Sequence, residues 1–281
     1  MPLSPSELDR YCQRIGMDAP LRHDASTLQR LHHLHPLAIP FENLDSWLGR
    51  EVSLEPATVF TKLIDGQRGG YCFEQNLLLR EVLESLGFTV QGLAACVVWN
   101  LPAGMALPRT HKLLLVTVDD TRFIADVGFG GLTLTAPLVL DSESVQGTPH
   151  ENFRIARDGT LYILEAEIAG TWHALYRFSL DAQMPADYAM ANYYVGTHAQ
   201  SRFVQQLIAG RPGAGMRHAL LDARYSRHHL GMASEQRQLA DASELRAVLQ
   251  DKLGIALGAL PGLDAKLATL FTPPTTQGTE R

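Results

Sequence analysis

Arg68-Gly69-Gly70-Tyr71-Cys72-Phe73-Glu74-Gln75-Asn76 sets two glycines directly before a cysteine and opens a run with apolar positions Phe73, Leu77, Val82 and Leu86, which stops at Gly87. Paired glycines permit a tight turn and close approach of another backbone or a ligand. The spacing after them predicts a helix beginning at Cys72. Unpaired N–H groups and the positive dipole end at such a start favour a thiolate, the nucleophilic form of the side chain, and can also hold an oxyanion. Arg68 adds positive charge nearby, or pairs with a carboxylate such as Glu42 or Glu74. A free cysteine is more commonly a small buried hydrophobe, so the reactive reading needs partners. Cys12 and Cys96, in a helical-looking segment and an apolar strand-like run, read as packing residues.

Upstream of this block the chain continues in helical texture, with Leu28, Leu31 and Leu34 at helical spacing. Downstream, from Val90 to about Val139, the pattern changes to short β-rich runs (97–99, 113–118 and 123–127) separated by Gly, Pro and Asp. Further strand-like pieces at 153–155, 161–164 and 172–178 carry a sheet domain to about residue 190. Mixed texture follows, with helices expected at 201–209 and 242–253 and a frayed tail over 271–281, where Pro, Thr and Gly bury little. The division expected is 1–88 helical and carrying the nucleophile, 89–192 β, and 193–281 a third unit.

A catalytic thiol requires a base and usually a group that orients it. The run Thr110-His111-Lys112-Leu113-Leu114-Leu115-Val116-Thr117-Val118 and the run 121–127 read as a β-hairpin turning at Asp119-Asp120. A turn symmetric about that pair places Asp126 opposite Leu113. His111 then shares its face as a diagonal neighbour, about 7 Å away at Cβ. A slip of one residue would separate them onto opposite faces. Taken alone, His111 reads as an exposed strand-end residue and Asp126 as a turn former. Their common face, with Cys72 at a helix start, makes Cys72, His111 and Asp126 the candidate catalytic set.

Other classes are excluded or weakened. The 281 residues carry 24 Lys+Arg and 30 Asp+Glu, a net charge of −6 without a basic run, which argues against nucleic acid. Three scattered cysteines give neither a disulfide framework nor a C-x-x-C pair. His32, His33 and His35, like His228 and His229, lack accompanying ligands at metal-site spacing and read as solvated helix-surface residues. The amino terminus lacks signal-peptide regions, and no apolar run approaches the roughly 20 residues that span a bilayer. The expectation is a cytoplasmic protein, with no membrane or nucleic-acid partner.

The blocks R-G-G-Y-C-F-E-Q-N at 68–76, Thr110-His111, D-V-G-F-G at 126–130 and P-F-E-N at 40–43 resemble the arylamine N-acetyltransferase family, over most of the chain to about Phe203. That resemblance implies an α+β fold made of a helical bundle, an antiparallel β-barrel and an α/β lid, with a papain-like Cys-His-Asp arrangement on Cys72, His111 and Asp126. It implies ping-pong acetyl transfer from acetyl-CoA, a co-substrate, to an arylamine, arylhydrazine or N-hydroxyarylamine, without a metal or resident cofactor. Trp99, Thr110, Gly128, Gly130 and Gly131 match positions near CoA. Phe41, Phe129 and Phe203 match an apolar acceptor wall, although Phe41 and Phe203 read equally well as core. A monomer or homodimer is expected. The chain departs from the family where Gly196 and Ala199 replace a serine and a proline, which is expected to loosen the loop toward the lid. An amide synthase using a carrier-bound acyl chain is the main rival function. A cysteine hydrolase and a non-catalytic scaffold are weaker ones.

Overall fold

The computed structural model describes residues 2–102, 105, 107–258 and 260–272. The expected frayed tail lies outside the described residues from 273 onward. Of its first two positions, Phe271 packs against the C-terminal core.

The amino-terminal part is helical for local reasons. Helix α1 (Pro5–Ile15) starts at Ser4 with a capping box to Glu7 and ends at Gly16, whose φ of 70° suits glycine. Helix α2 (Ala25–Ala38) is capped by the Asp24 carboxylate. After strand β1 (Phe41–Glu42) come α3 (Leu44–Trp47), α4 (Pro56–Phe60) with a π turn at Thr61–Asp65, and α5 (Cys72–Ser85). The glycines before α5 do what their pairing suggests: a Cβ on Gly69 would stand 2.1 Å from the Pro40 carbonyl oxygen, so only bare backbone lets the two segments touch.

An eight-stranded antiparallel sheet follows. Its strands are β2 (Thr89–Val97), β3 (His111–Val118), β4 (Thr121–Ala125), β5 (Leu138–Val139), β6 (Gln146–Gly147), β7 (Asn152–Asp158), β8 (Leu161–Ile168) and β9 (Thr171–Phe178), in the order β5-β4-β3-β2-β9-β8-β7-β6. The two edges meet through one side chain: the Gln146 amide accepts from Val139 N–H at 2.8 Å and donates to its carbonyl at 2.9 Å. That bridge brings the sheet close to a closed barrel. Strand β3 is continuously apolar from Leu113 to Val116 because both its faces are covered there. Leu113 and Leu115 point into the barrel, whereas Leu114, Val116 and Val118 pack on the helices.

Helix α6 (Pro185–Thr197) spans the expected division at 192, and α7 (Arg202–Gln205) occupies only half of the helix expected over 201–209. The rest is extended, because Asn43 intervenes. Its amide donates to the Phe203 and Gln206 carbonyls at 2.8 Å each and accepts from Ile208 N–H at 2.7 Å. The chain is thereby turned into β10 (Ile208–Gly213), which pairs antiparallel with β1 and continues as β11 (Met216–Leu221), β12 (Arg224–His229) and β13 (Glu235–Gln238). Helix α8 (Ala242–Ala247), a π turn at Val248–Lys252 and α9 (Leu263–Thr269) pack on this sheet to complete the α/β lid. The architecture is α+β, as expected.

Two histidine expectations are corrected. His32 and His35 are fully buried rather than solvated, because α2 faces the core on that side. His228 and His229 lie on strand β12 rather than on a helix.

Position 196, expected in a loop, lies in the last turns of α6. A Cβ there would sit 3.3 Å from Tyr71 Oη and 3.5 Å from the buried Ser46 Oγ. Better helix propensity and a new hydrogen bond are offset by the tight contact with the buried Tyr71 hydroxyl, so Gly196→Ser is expected to change stability by less than about 1 kcal/mol. Equilibrium urea unfolding, with an unchanged slope against denaturant, checks this.

Candidate active site

Cys72 is the first residue of α5, 4 % exposed, and its thiol points toward the Thr110 carbonyl oxygen at 3.8 Å. Helix α5 packs across β3, which puts the helix start beside the strand start. The β3–β4 hairpin then adds the third group. Its observed register pairs Leu114 with Ala125 and Val118 with Thr121, the symmetric register read from the sequence. Asp126 follows β4 directly, and its Oδ2 accepts from His111 Nε2 at 2.6 Å. The Cys72 side chain acts on the same ring, and with Nε2 taken by Asp126 the nitrogen left to meet the sulfur is Nδ1.

The electrostatics follow from this packing. Burial of His111 disfavours its charged form, but the Asp126 charge and hydrogen bond, together with Cys72, override that and raise the imidazole to about 10. Burial likewise opposes ionisation of Asp126, and His111, Asn76 and the Gly128 N–H overcome it and hold the carboxyl below its ordinary value. At neutral pH the pair is an imidazolium and a carboxylate, with the positive ring against the thiol.

Every polar group of Asp126 is held. Oδ1 accepts from Asn76 Nδ2 and from Gly128 N–H at 3.0 Å each. The carbonyl accepts from Thr133 Oγ1 at 3.2 Å, and the backbone N–H donates to His32 Nε2 at 3.0 Å. Sequence reasoning missed all three side chains. Asn76 carried a usable signal, since it stands one helical turn beyond Cys72 on the same face. His32 and Thr133 carried none.

A cleft of about 1390 Å³ opens over Cys72 and His111. Trp99, Thr110, Gly128, Gly130, Gly131, Phe41, Phe129 and Phe203 all line it. Phe129 stands edge-on to the His111 ring at 5.3 Å, and Phe41 edge-on to Phe203 at 5.8 Å. The three glycines differ in why they are glycine. A Cβ on Gly128 would stand 2.6 Å from Cys72 Cα, Gly130 has a φ of 90°, and Gly131 has open space. Gly128→Ala is therefore expected to push the turn off Cys72, costing about 1–3 kcal/mol and at least tenfold in rate, roughly. Gly131→Ala is expected to leave stability within about 0.5 kcal/mol. Thermal unfolding and CoA release, measured on both variants, check the contrast.

Arg68 does not reach the thiol. It binds Glu42 at 2.7 Å and Asp45 at 3.2 Å, while Lys62 binds Asp45 and Glu74 at 2.6 Å each. Glu74 Oε2 in turn accepts from Tyr71 N–H at 3.0 Å, so this buried charge network fixes the start of α5. Among the described residues, no group of three or more His, Cys, Asp or Glu side chains could hold a metal, and no helix is long and apolar enough to cross a membrane.

An N-acetyltransferase family model matches residues 24–260. The chain is 40% identical over 252 residues to the arylamine N-acetyltransferase of Escherichia coli (strain K12), covering 89% of each protein. It belongs to the arylamine N-acetyltransferase family. Solved structures of that family agree with the fold. The Mycobacterium smegmatis arylamine N-acetyltransferase superposes with a TM-score of 0.90 at 39% identity, over 95% of this chain and 99% of that one. The Mycobacterium marinum arylamine N-acetyltransferase in complex with CoA also gives 0.90, at 34% identity, over 94% of this chain and 100% of that one. The chain is an acyltransferase of that family's type, and acetyl-CoA is its co-substrate.

Proposed function

We propose that the chain moves an acetyl group from acetyl-CoA to arylamines, arylhydrazines or N-hydroxyarylamines through an acetyl-Cys72 intermediate. The observation that carries this is the Cys72–His111–Asp126 alignment at the base of the cleft. In the first half, the thiolate attacks the thioester carbonyl carbon, and backbone N–H groups at the start of α5, that of Cys72 among them, hold the oxyanion. The C–S bond to CoA breaks as His111 gives its proton to the leaving sulfur. In the second half, the amine attacks the acetyl-cysteine, neutral His111 takes the amine proton, and the thiolate–imidazolium pair is restored. Asp126 keeps the ring oriented throughout.

Trp99, Thr110, Gly128, Gly130 and Gly131 are assigned to CoA, and Phe41, Phe129 and Phe203 to a flat aromatic acceptor, for which an apolar wall is suited. With a net charge of −6, CoA phosphates must be met by local backbone donors and a few basic groups. The protein is assigned to the cytoplasm as a monomer or homodimer.

A panel of arylamines and hydrazines assayed by free CoA release is the direct test. Release accelerated by an acceptor is expected. No turnover on any of them would replace this reading with an amide synthase that draws on another acyl thioester.

A further inference from the structure

We infer that His32 is a positioning residue that holds Asp126 against His111 through its backbone N–H. The inference rests on the proposed roles of Cys72, His111 and Asp126 and extends them to a residue of α2. Strand pairing between β3 and β4 ends at Ala125, so the next N–H, that of Asp126, has no ladder partner. A buried N–H left unpaired is costly, and His32 Nε2 accepts it at 3.0 Å. An accepting Nε2 bears no proton, so the ring is the Nδ1–H tautomer.

Its surroundings keep it so. His32 is fully buried, and burial, with His35 and His33 acting in the same direction, outweighs the Asp126 charge and lowers it to about 3. The acceptor therefore persists across the working pH range. Helix α2 is itself anchored one turn on, where His35 bonds Tyr11 Oη at 2.9 Å and Gln75 Oε1 at 2.7 Å. Gln75 is the α5 neighbour of Asn76, so both clamps on Asp126 share one support.

A histidine serving only as filler would be a poor choice here. Among the described residues its Nδ1 has no hydrogen-bond partner, a cost that leucine of similar bulk would avoid. Accepting from Asp126 is what the ring does that leucine cannot.

Two variants of the full chain test this. Gln at position 32 can keep an acceptor near Nε2, whereas Leu removes it. His32→Leu is expected to lower kcat about 10- to 100-fold with KM for acetyl-CoA nearly unchanged. The alkaline limb of its pH profile for Cys72 alkylation by iodoacetamide is expected to move to lower pH, because His111 loses part of its carboxylate support. His32→Gln is expected to recover most of the rate and the wild-type profile. Equal losses in both variants, or a His32→Leu profile superposed on wild type, would overturn the inference. Should His32→Leu not fold, isotope-labelled histidine spectra of the wild-type chain decide. His32 protonated only at Nδ1 supports the inference, and protonation at Nε2 overturns it. Wild-type alkylation checks the triad separately, since indiscriminate labelling of all three thiols would count against the Cys72 assignment itself.

Discussion

Cys72→Ala is expected to abolish acetyl transfer, with kcat/KM for acetyl-CoA falling by about 10⁴-fold or more. The thiol is the only group in the candidate set that can form the acyl intermediate, and neither His111 nor Asp126 can substitute for it. Incubating wild-type protein with acetyl-CoA alone is expected to add the mass of one acetyl group on Cys72. The variant is expected to gain none. Stability should barely change, because a sulfur is lost from a site that the cleft already borders. A loss of roughly 1 kcal/mol is the expected upper range. Intact mass, thermal unfolding and CoA release together separate a missing nucleophile from a misfolded chain. Acetyl transfer that survives in a folded Cys72→Ala protein would sink the scheme.

Asp126→Asn is expected to lower activity about 10³- to 10⁴-fold. The amide is close in size, and its oxygen can still accept from Asn76 and Gly128. The atom facing His111 Nε2 then becomes a donor, which forces the ring proton onto Nδ1, toward the sulfur. With the carboxylate gone, burial of His111 is opposed by less, and its pKa falls from about 10. Cys72 alkylation at neutral pH is expected to slow for the same reason, since the cation beside the thiol is lost.

The same substitution alters the dependence of stability on pH. His111 is raised in the folded state, so its contribution is fully present below its ordinary value of about 6.5 and is lost as pH rises through about 10. Asp126 is lowered, so its contribution is present above the ordinary carboxylate range and is lost as pH falls through its depressed value. Wild-type stability should therefore decline from about pH 6.5 to 10 on account of this pair. Asp126→Asn is expected to be less stable by about 3 kcal/mol at neutral pH and flatter across that window. Unfolding midpoints measured across the window check both points. A variant as pH-sensitive as wild type would show that another group carries the dependence.

The parts of this site that depend on nearby residues were legible in the chain. The hairpin turning at Asp119-Asp120 has a register set by its own turn, and the period of two along a strand then places His111 and Asp126 on one face. The start of α5 was legible because glycines, an apolar repeat and a terminal Gly87 are local features. The departures from expectation lie where distant residues act. Residues 206–209 leave the helix because Asn43, far back in the chain, takes the carbonyls that a further helical turn would have used. Lid strands β11 and β12 went unread, since Arg217 fills a buried position and Arg227 an exposed one, and neither strand shows an apolar alternation. The first is buried against Glu151 at 2.5 Å, and the second pairs with Glu235 on β13. No window of sequence can reveal that Arg217 has such a partner.

By itself the sequence determined three things: a helix opening on Cys72, a hairpin joining a histidine to an aspartate, and the block of residues that marks the family. The helix start and the hairpin are each specified within about twenty residues, where backbone geometry and side-chain period suffice, whereas the resemblance to the family rests on four blocks spread over 40–130. Tertiary structure decided what those pieces could do. It set the helix start against the strand start, buried His111 and Asp126 so that their charges strengthen one another, and brought His32 and Asn76 onto the aspartate. It also closed the sheet through Gln146. The contacts of His32 and Asn76 with Asp126 join residues 94 and 50 apart in the chain, Gln146 meets a strand only seven residues away, and the burial that gives all of them their energy exists only once the chain has folded.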